Sequence, residues 1–207
     1  MPCGRKNIEY HINLAIEREA SGDYDGAIES CINVLNIKND IPEVYYILGI
    51  AYQKLGSDEK AFAAYRNAIK LNPSYTQAYI NLGVICYDNK RYHDAVIYFN
   101  RAIGLDPKNA KAYYNLGNAY FEQKEYDKAI NAYRIASKLD PEYSKAIYGA
   151  AQCLLIMGDI ESALGEVVLL SNINQEMAEE LLKEIFPGQD CTIFDTGKGA
   201  YLKGRID

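Results

Sequence analysis

The sequence predicts an all-α fold, a solenoid of antiparallel helix pairs stacked one on the next. Three observations predict it. Tyr113, Leu116, Gly117, Ala129, Ala136 and Pro141 recur 34 positions earlier as Tyr79, Leu82, Gly83, Ala95, Ala102 and Pro107, and again as Tyr45, Leu48, Gly49, Ala61, Ala68 and Pro73. Each period contains two runs with apolar residues at helical spacing, joined by a short polar turn. A proline closes each period, where it cannot continue the hydrogen-bond ladder. A fixed period of this size marks a stacked array, in which each unit meets only its neighbours.

The elements follow in order. Residues 1–7 read as a polar leader, and one solenoid is expected over 8–186. Residues 8–41 hold a degraded first copy: Leu14, Ala15 and Ala27 keep the spacing and Gly22-Asp23-Tyr24 makes the turn. Terminal units of an array are expected to be atypical, because one face lacks a neighbour. Residues 42–75, 76–109 and 110–143 are the clear copies. In the middle one, Tyr79, Leu82 and Cys86 form the apolar stripe of the first helix, and Ala95, Phe99 and Ala102 that of the second. Gly83 and Ala95 are small, so the two helices can approach closely, with Phe99 and Tyr79 filling the space on either side. The turns fall at Leu55-Gly56-Ser57, Asn89-Lys90-Arg91 and Gln123-Lys124-Glu125. Connections this short make the helices antiparallel. Residues 144–173 form an eroded fifth copy with Ala151 and Ala163 at the small positions and Gly158-Asp159 at the turn. Gln175–Phe186 reads as a capping helix with Met177, Leu181, Leu182 and Ile185 on its apolar face. Pro187-Gly188 ends it, and 187–207 reads as a flexible or extended tail with Ile193, Phe194, Tyr201 and Leu202 as adhesive residues.

Composition sets bounds on function. Apolar residues make up 49% of the 207, enough for a continuous core. The net charge of −6 argues against a nucleic-acid partner, which is held through clustered Lys and Arg. No apolar run is long enough to span a membrane and no secretory signal is visible. The five cysteines are widely spaced with no CxxC, so neither a metal site nor a redox dithiol is signalled. Reduced thiols in a cytoplasmic protein are expected. His11 and His93 have no partners at metal or triad spacing. Asp195-Thr196-Gly197 and Gly197-Lys198-Gly199 mimic protease and phosphate-loop fragments without the surrounding pattern either needs. No catalytic constellation emerges, so a non-enzyme without cofactor or metal is expected.

Copies two to four resemble tetratricopeptide repeats. Copy two supplies Tyr45, Leu48, Gly49, Tyr52, Ala61, Tyr65, Ala68 and Pro73, and copy four Tyr113, Leu116, Gly117, Tyr120, Ala129, Tyr133, Ala136 and Pro141. Copy three departs at Cys86, where Tyr is usual. The resemblance covers roughly 8–173. It implies a right-handed superhelix whose first helices line a concave groove, and a role in holding other proteins through an extended or helical segment. Fold alone does not establish function, so the groove residues must carry it.

If the family geometry holds, Tyr46, Ile50, Ile80, Asn81, Val84, Tyr87, Lys111, Tyr114, Asn115, Asn118, Phe121 and Tyr148 face that groove. The row Tyr46, Ile80, Tyr114, Tyr148 would offer apolar contact. Asn81, Asn115 and Asn118 would hydrogen-bond a partner's backbone, because an amide both donates and accepts. Few charges would take part, so binding should survive moderate salt. The carboxylate clamp by which some relatives hold chaperone tails is incomplete: Tyr46 and Ile50 stand at its first pair, and Asn115 at its last cation. The expected function is a protein-binding scaffold or adaptor. The alternative is a structural protein that self-associates through its end repeats or tail.

Overall fold

The computed structural model describes residues 3–188, 192–195 and 200–203, with side chains from 7 to 188. Among the described residues eleven helices run in chain order, and the chain divides into two units, Met1–Leu105 and Asp106–Asp207. The first unit holds α1 (Cys3–Ser21), α2 (Tyr24–Ile37), α3 (Pro42–Lys54), α4 (Asp58–Leu71), α5 (Thr76–Asp88) and α6 (Tyr92–Leu105). The second holds α7 (Ala110–Glu122), α8 (Tyr126–Leu139), α9 (Ser144–Met157), α10 (Ile160–Ser171) and α11 (Gln175–Ile185). Consecutive helices pack as the hairpins α1/α2, α3/α4, α5/α6, α7/α8 and α9/α10, and α11 packs on the last of them.

Each hairpin turns in the same way. Gly22, Gly56, Lys90, Lys124 and Gly158 all adopt the left-handed conformation, with φ of 83°, 70°, 58°, 61° and 80°. The residue after each donates its backbone N–H five positions back, as in Arg91 to Cys86 at 2.8 Å and Glu125 to Tyr120 at 2.9 Å. This closure satisfies a carbonyl that the helix end leaves orphaned. Three of the second helices end two residues before a proline, at Leu71, Leu105 and Leu139. There the Asn72, Asp106 and Asp140 side chains accept backbone N–H bonds from Ser74, Lys108 and Glu142. Such turns bridge the gap to the next first helix.

The small residues act as the period suggests. Ala61, Ala95 and Ala129 are fully buried, as are Ala68, Ala102 and Ala136. A methyl added at Gly49, Gly83 or Gly117 would collide with the ring of Tyr65, Phe99 or Tyr133 respectively. The glycine is therefore the gap through which the large residue of the second helix reaches the first helix. Cys31, Cys86 and Cys153 are buried free thiols, pushed up by burial to about 12 at Cys31 and about 11 at Cys153.

Two expected bounds shift. The leader is not separate, since α1 already begins at Cys3. Arg5 and Lys6 are good helix formers, so the helix extends upstream of the apolar stripe that signalled its start. Within the tail, β1 (Thr192–Asp195) and β2 (Ala200–Lys203) pair antiparallel, Thr192 opposite Lys203, and β2 runs beside α10. The adhesive side chains expected there, and residues 196–199 with the two motif mimics, lie outside what is described. The capping helix is present, one residue shorter than expected. Its Ala178, Leu181 and Leu182 are buried against Ile147, Ala151, Val167 and Leu170. Asn174 caps it by accepting the Met177 N–H at 3.1 Å.

Candidate functional site: the first-helix faces

Within the units, α1 touches α3, α7 touches α9, and α9 touches α11, so first helices share one side of each unit.

In the first unit this face carries Tyr46, Ile50, Asn81, Val84 and Tyr87, all half-buried. Ile80 does not belong with them. It is 1% exposed and sits in the core. Tyr46 stacks on Tyr75 at 4.9 Å between ring centres and leans on Tyr65 at 5.7 Å. Tyr65 is itself buried, but its hydroxyl reaches the face and donates to Gln53 Oε1 at 2.9 Å. The Asn81 amide faces the hydroxyls of both Tyr46 and Tyr65 and offsets part of the effect of burial on them. Burial pushes the Tyr46 and Tyr65 phenols up, and that of Tyr75 to about 12 with Tyr46 and Glu43 adding to it.

The second unit repeats the arrangement. Tyr114 packs on Tyr143 at 5.0 Å and on Tyr133 at 5.8 Å, and the Tyr133 hydroxyl donates to Asn118 Oδ1 at 2.7 Å. Asn115 is half-buried, and its Nδ2 is buried without a hydrogen-bond partner among the described residues. Phe121 meets Tyr126 edge-on at 5.7 Å, as Tyr87 meets Tyr92 at 5.4 Å. Lys111 is exposed. The Tyr148 hydroxyl donates to Glu184 Oε1 on α11 at 2.9 Å, and its phenol is pushed up to about 12 by burial and then by Glu184.

Asn81 and Asn115 share a register position that holds Ile47 in copy two and Gly149 in copy five, and packing gives the cause. The side chain at this position packs beside the large position of the preceding second helix, sixteen residues earlier. Cys31 is small, and Ile47 fills the space beside it in the same core cluster. Tyr65 offers a hydroxyl, and Asn81 faces it. Tyr133 fills its space completely: a methyl at Gly149 would lie 2.8 Å from the ring.

Sequence reasoning missed Tyr75, Tyr143, Glu19 and Glu184. The first two stand two residues after Pro73 and Pro141, a spacing that repeats in register and could have been read. Glu19 holds the same place in copy one as Gln53 in copy two. Glu184 could not be placed, because α11 falls outside the repeat. Among the described residues no group of three or more metal-ligating side chains gathers, and no helix is long and apolar enough to cross a membrane.

Stacked helix hairpins with a first-helix face of half-buried aromatic and amide side chains define an α-helical repeat protein. Models described as tetratricopeptide repeat and TPR repeat match residues 46–110 and 20–56, and one described as anaphase-promoting complex, cyclosome, subunit 3 matches 88–167. The chain belongs to the tetratricopeptide-repeat family. A search of curated proteins found no match. Among solved structures, MamA protein is 25% identical, with a TM-score of 0.75 over 88% of this chain and 96% of that one. A fragment of MamA from Desulfovibrio magneticus RS-1 is 24% identical, with 0.76 over 82% and 96%. YrrB, described as a TPR protein with an unusual peptide-binding site, is 19% identical, with 0.72 over 84% and 90%.

Proposed function

We propose that this protein is a non-enzymatic scaffold or adaptor that holds a segment of a partner protein, extended or helical, on its first-helix faces. The observation that carries the proposal is the half-buried apolar and aromatic surface of Ile50, Val84, Tyr87, Tyr114, Phe121 and Tyr148. Side chains held half in solvent by a rigid backing present contact area at little ordering cost. The hydroxyl and amide bonds behind Tyr46 and Tyr114 fix that backing. YrrB lends support as a relative by fold with a peptide-binding site. Localisation in the cytoplasm accords with the buried free thiols.

The test is a panel of random peptides captured by the full chain and by the variant Val84→Gln, Phe121→Gln. Both substitutions add polarity on the face, and Phe121→Gln also removes a ring from it. Peptides selected by the native chain should bind the variant at least about tenfold more weakly, a loss of ~1.4 kcal/mol. Equal affinity for both would overturn the proposal.

Self-association is a second reading, favoured by one observation on the outer side of the second unit. A cleft of about 900 Å³ there is lined by Arg134, Lys138, Glu142, Glu166, Leu169 and Ile173, and Leu169 is 55% exposed. Light scattering against concentration, with and without residues 188–207, separates the readings. A monomer throughout rejects assembly.

A further inference from the structure

The first-helix face of the first unit has a charge pattern that narrows its partner. Glu19 on α1 acts on the hydroxyls of Tyr46 and Tyr65. Glu43 on α3 acts on Tyr75, which stacks against Tyr46. Two carboxylates thus flank one aromatic shelf. Asp88 at the end of α5 stands near Asp58 at the start of α4. None of Glu19, Glu43 and Asp88 has an ion-pair partner among the described residues.

Four cations of the unit are engaged within it, off this face. Arg18 turns to the second helix of its hairpin, donating to the Gly26 carbonyl at 2.8 Å and to Ser30 Oγ at 3.0 Å. Arg91 pairs with Asp94 at 2.6 Å and lies over the Phe62 ring. Arg101 lies over Tyr79, and Lys60 over Tyr52. Lys54, exposed at the end of α3, is the one cation among the described side chains of α1, α3 and α5 besides Arg18. Beside the carboxylates, Ile16 is 48% exposed, and Ile50 and Val84 are half-buried.

We infer that the first-helix face of the first unit docks a lysine- or arginine-bearing, otherwise apolar segment of the partner protein. The inference rests on the scaffold reading above and names the chemistry of its ligand. A cation placed over the outer face of the Tyr46–Tyr75 stack meets the negative face of a ring and can pair with Glu19 or Glu43. Aliphatic side chains between the cations meet Ile16, Ile50 and Val84. An acidic segment is repelled by the same carboxylates, so the pattern selects as well as attracts. The sequence alone gave a different expectation, of binding that survives moderate salt with few charges involved, because it counted the face from copy two onward and omitted Glu19.

The test titrates the full chain with three labelled peptides built on the same leucine frame, carrying lysine, serine or glutamate at the remaining positions. The lysine peptide should bind at least about tenfold more tightly than the serine one and weaken severalfold between about 50 and 300 mM salt, as screening requires. The variant E19Q/E43Q/D88N should lose at least about tenfold of that affinity. The control E59Q/E142Q/E161Q removes the same net charge from exposed positions off this face and should change it less than about twofold. Equal loss in both variants, or no preference for lysine over serine, overturns the basic-partner inference. Serine-peptide binding that is lost in Val84→Gln, Phe121→Gln would then leave the scaffold reading standing. Failure of all three peptides to bind overturns both.

Discussion

At the scale of single residues, glycines in this chain divide into two kinds that the sequence does not distinguish. Gly83 lies against the buried ring of Phe99, and any Cβ there collides with it. Gly104, in α6, faces open space. Gly83→Ala should destabilise the protein by about 1–3 kcal/mol through overpacking. Gly104→Ala should stabilise it by about 0.5–1 kcal/mol, because alanine loses less backbone freedom in a helix. Denaturant unfolding of the two variants reads both signs. Equal effects would mean that Phe99 can swing aside and that the gap is not a packing requirement. The asparagines teach the same point. Asn81 and Asn115 share a register position, yet one amide faces two tyrosine hydroxyls and the other has a buried Nδ2 without a partner among the described residues.

At the scale of elements, the turn between the helices of each hairpin was legible and its strain was not. The turns were placed correctly from short polar triplets, and Gly22, Gly56 and Gly158 suit the left-handed conformation they adopt. Lys90 and Lys124 adopt it with a side chain, at a cost of about 1–2 kcal/mol each against the right-handed form. Replacing either by glycine removes that cost and adds unfolded-chain entropy, so Lys90→Gly and Lys124→Gly should each stabilise by about 0.5–1 kcal/mol. The midpoint of denaturant unfolding should rise at unchanged slope. A lowered midpoint would show that the lysine side chains make compensating contacts. The hairpin at the end of the chain was the element least accessible to sequence reasoning, since four-residue strands around three glycines carry little period-2 signal.

At the scale of the molecule, an array has no single central core, so each unit depends on its terminal faces being covered. In the second unit α11 performs that covering, with Leu181 and Leu182 buried on the α9/α10 hairpin. Leu182→Ala should cost about 2–5 kcal/mol. Amide exchange followed by mass spectrometry should show protection falling first in α9, α10 and α11. Loss spread evenly over the second unit would mean that it unfolds as one cooperative block instead of fraying from its end.

The sequence by itself determined the hairpins, their turns, their close crossings and the family. These follow from local periodicity and from small residues at fixed spacing, and both are written along one stretch of chain. Only the tertiary structure decided which first-helix residues reach solvent. Ile80 is core, Asn81 faces Tyr46 and Tyr65, and Glu19 stands beside a tyrosine pair from the next hairpin. The reason is physical: exposure at each of these positions depends on the side chain that the neighbouring hairpin pushes through the gap, and that neighbour is chosen by packing, not by register.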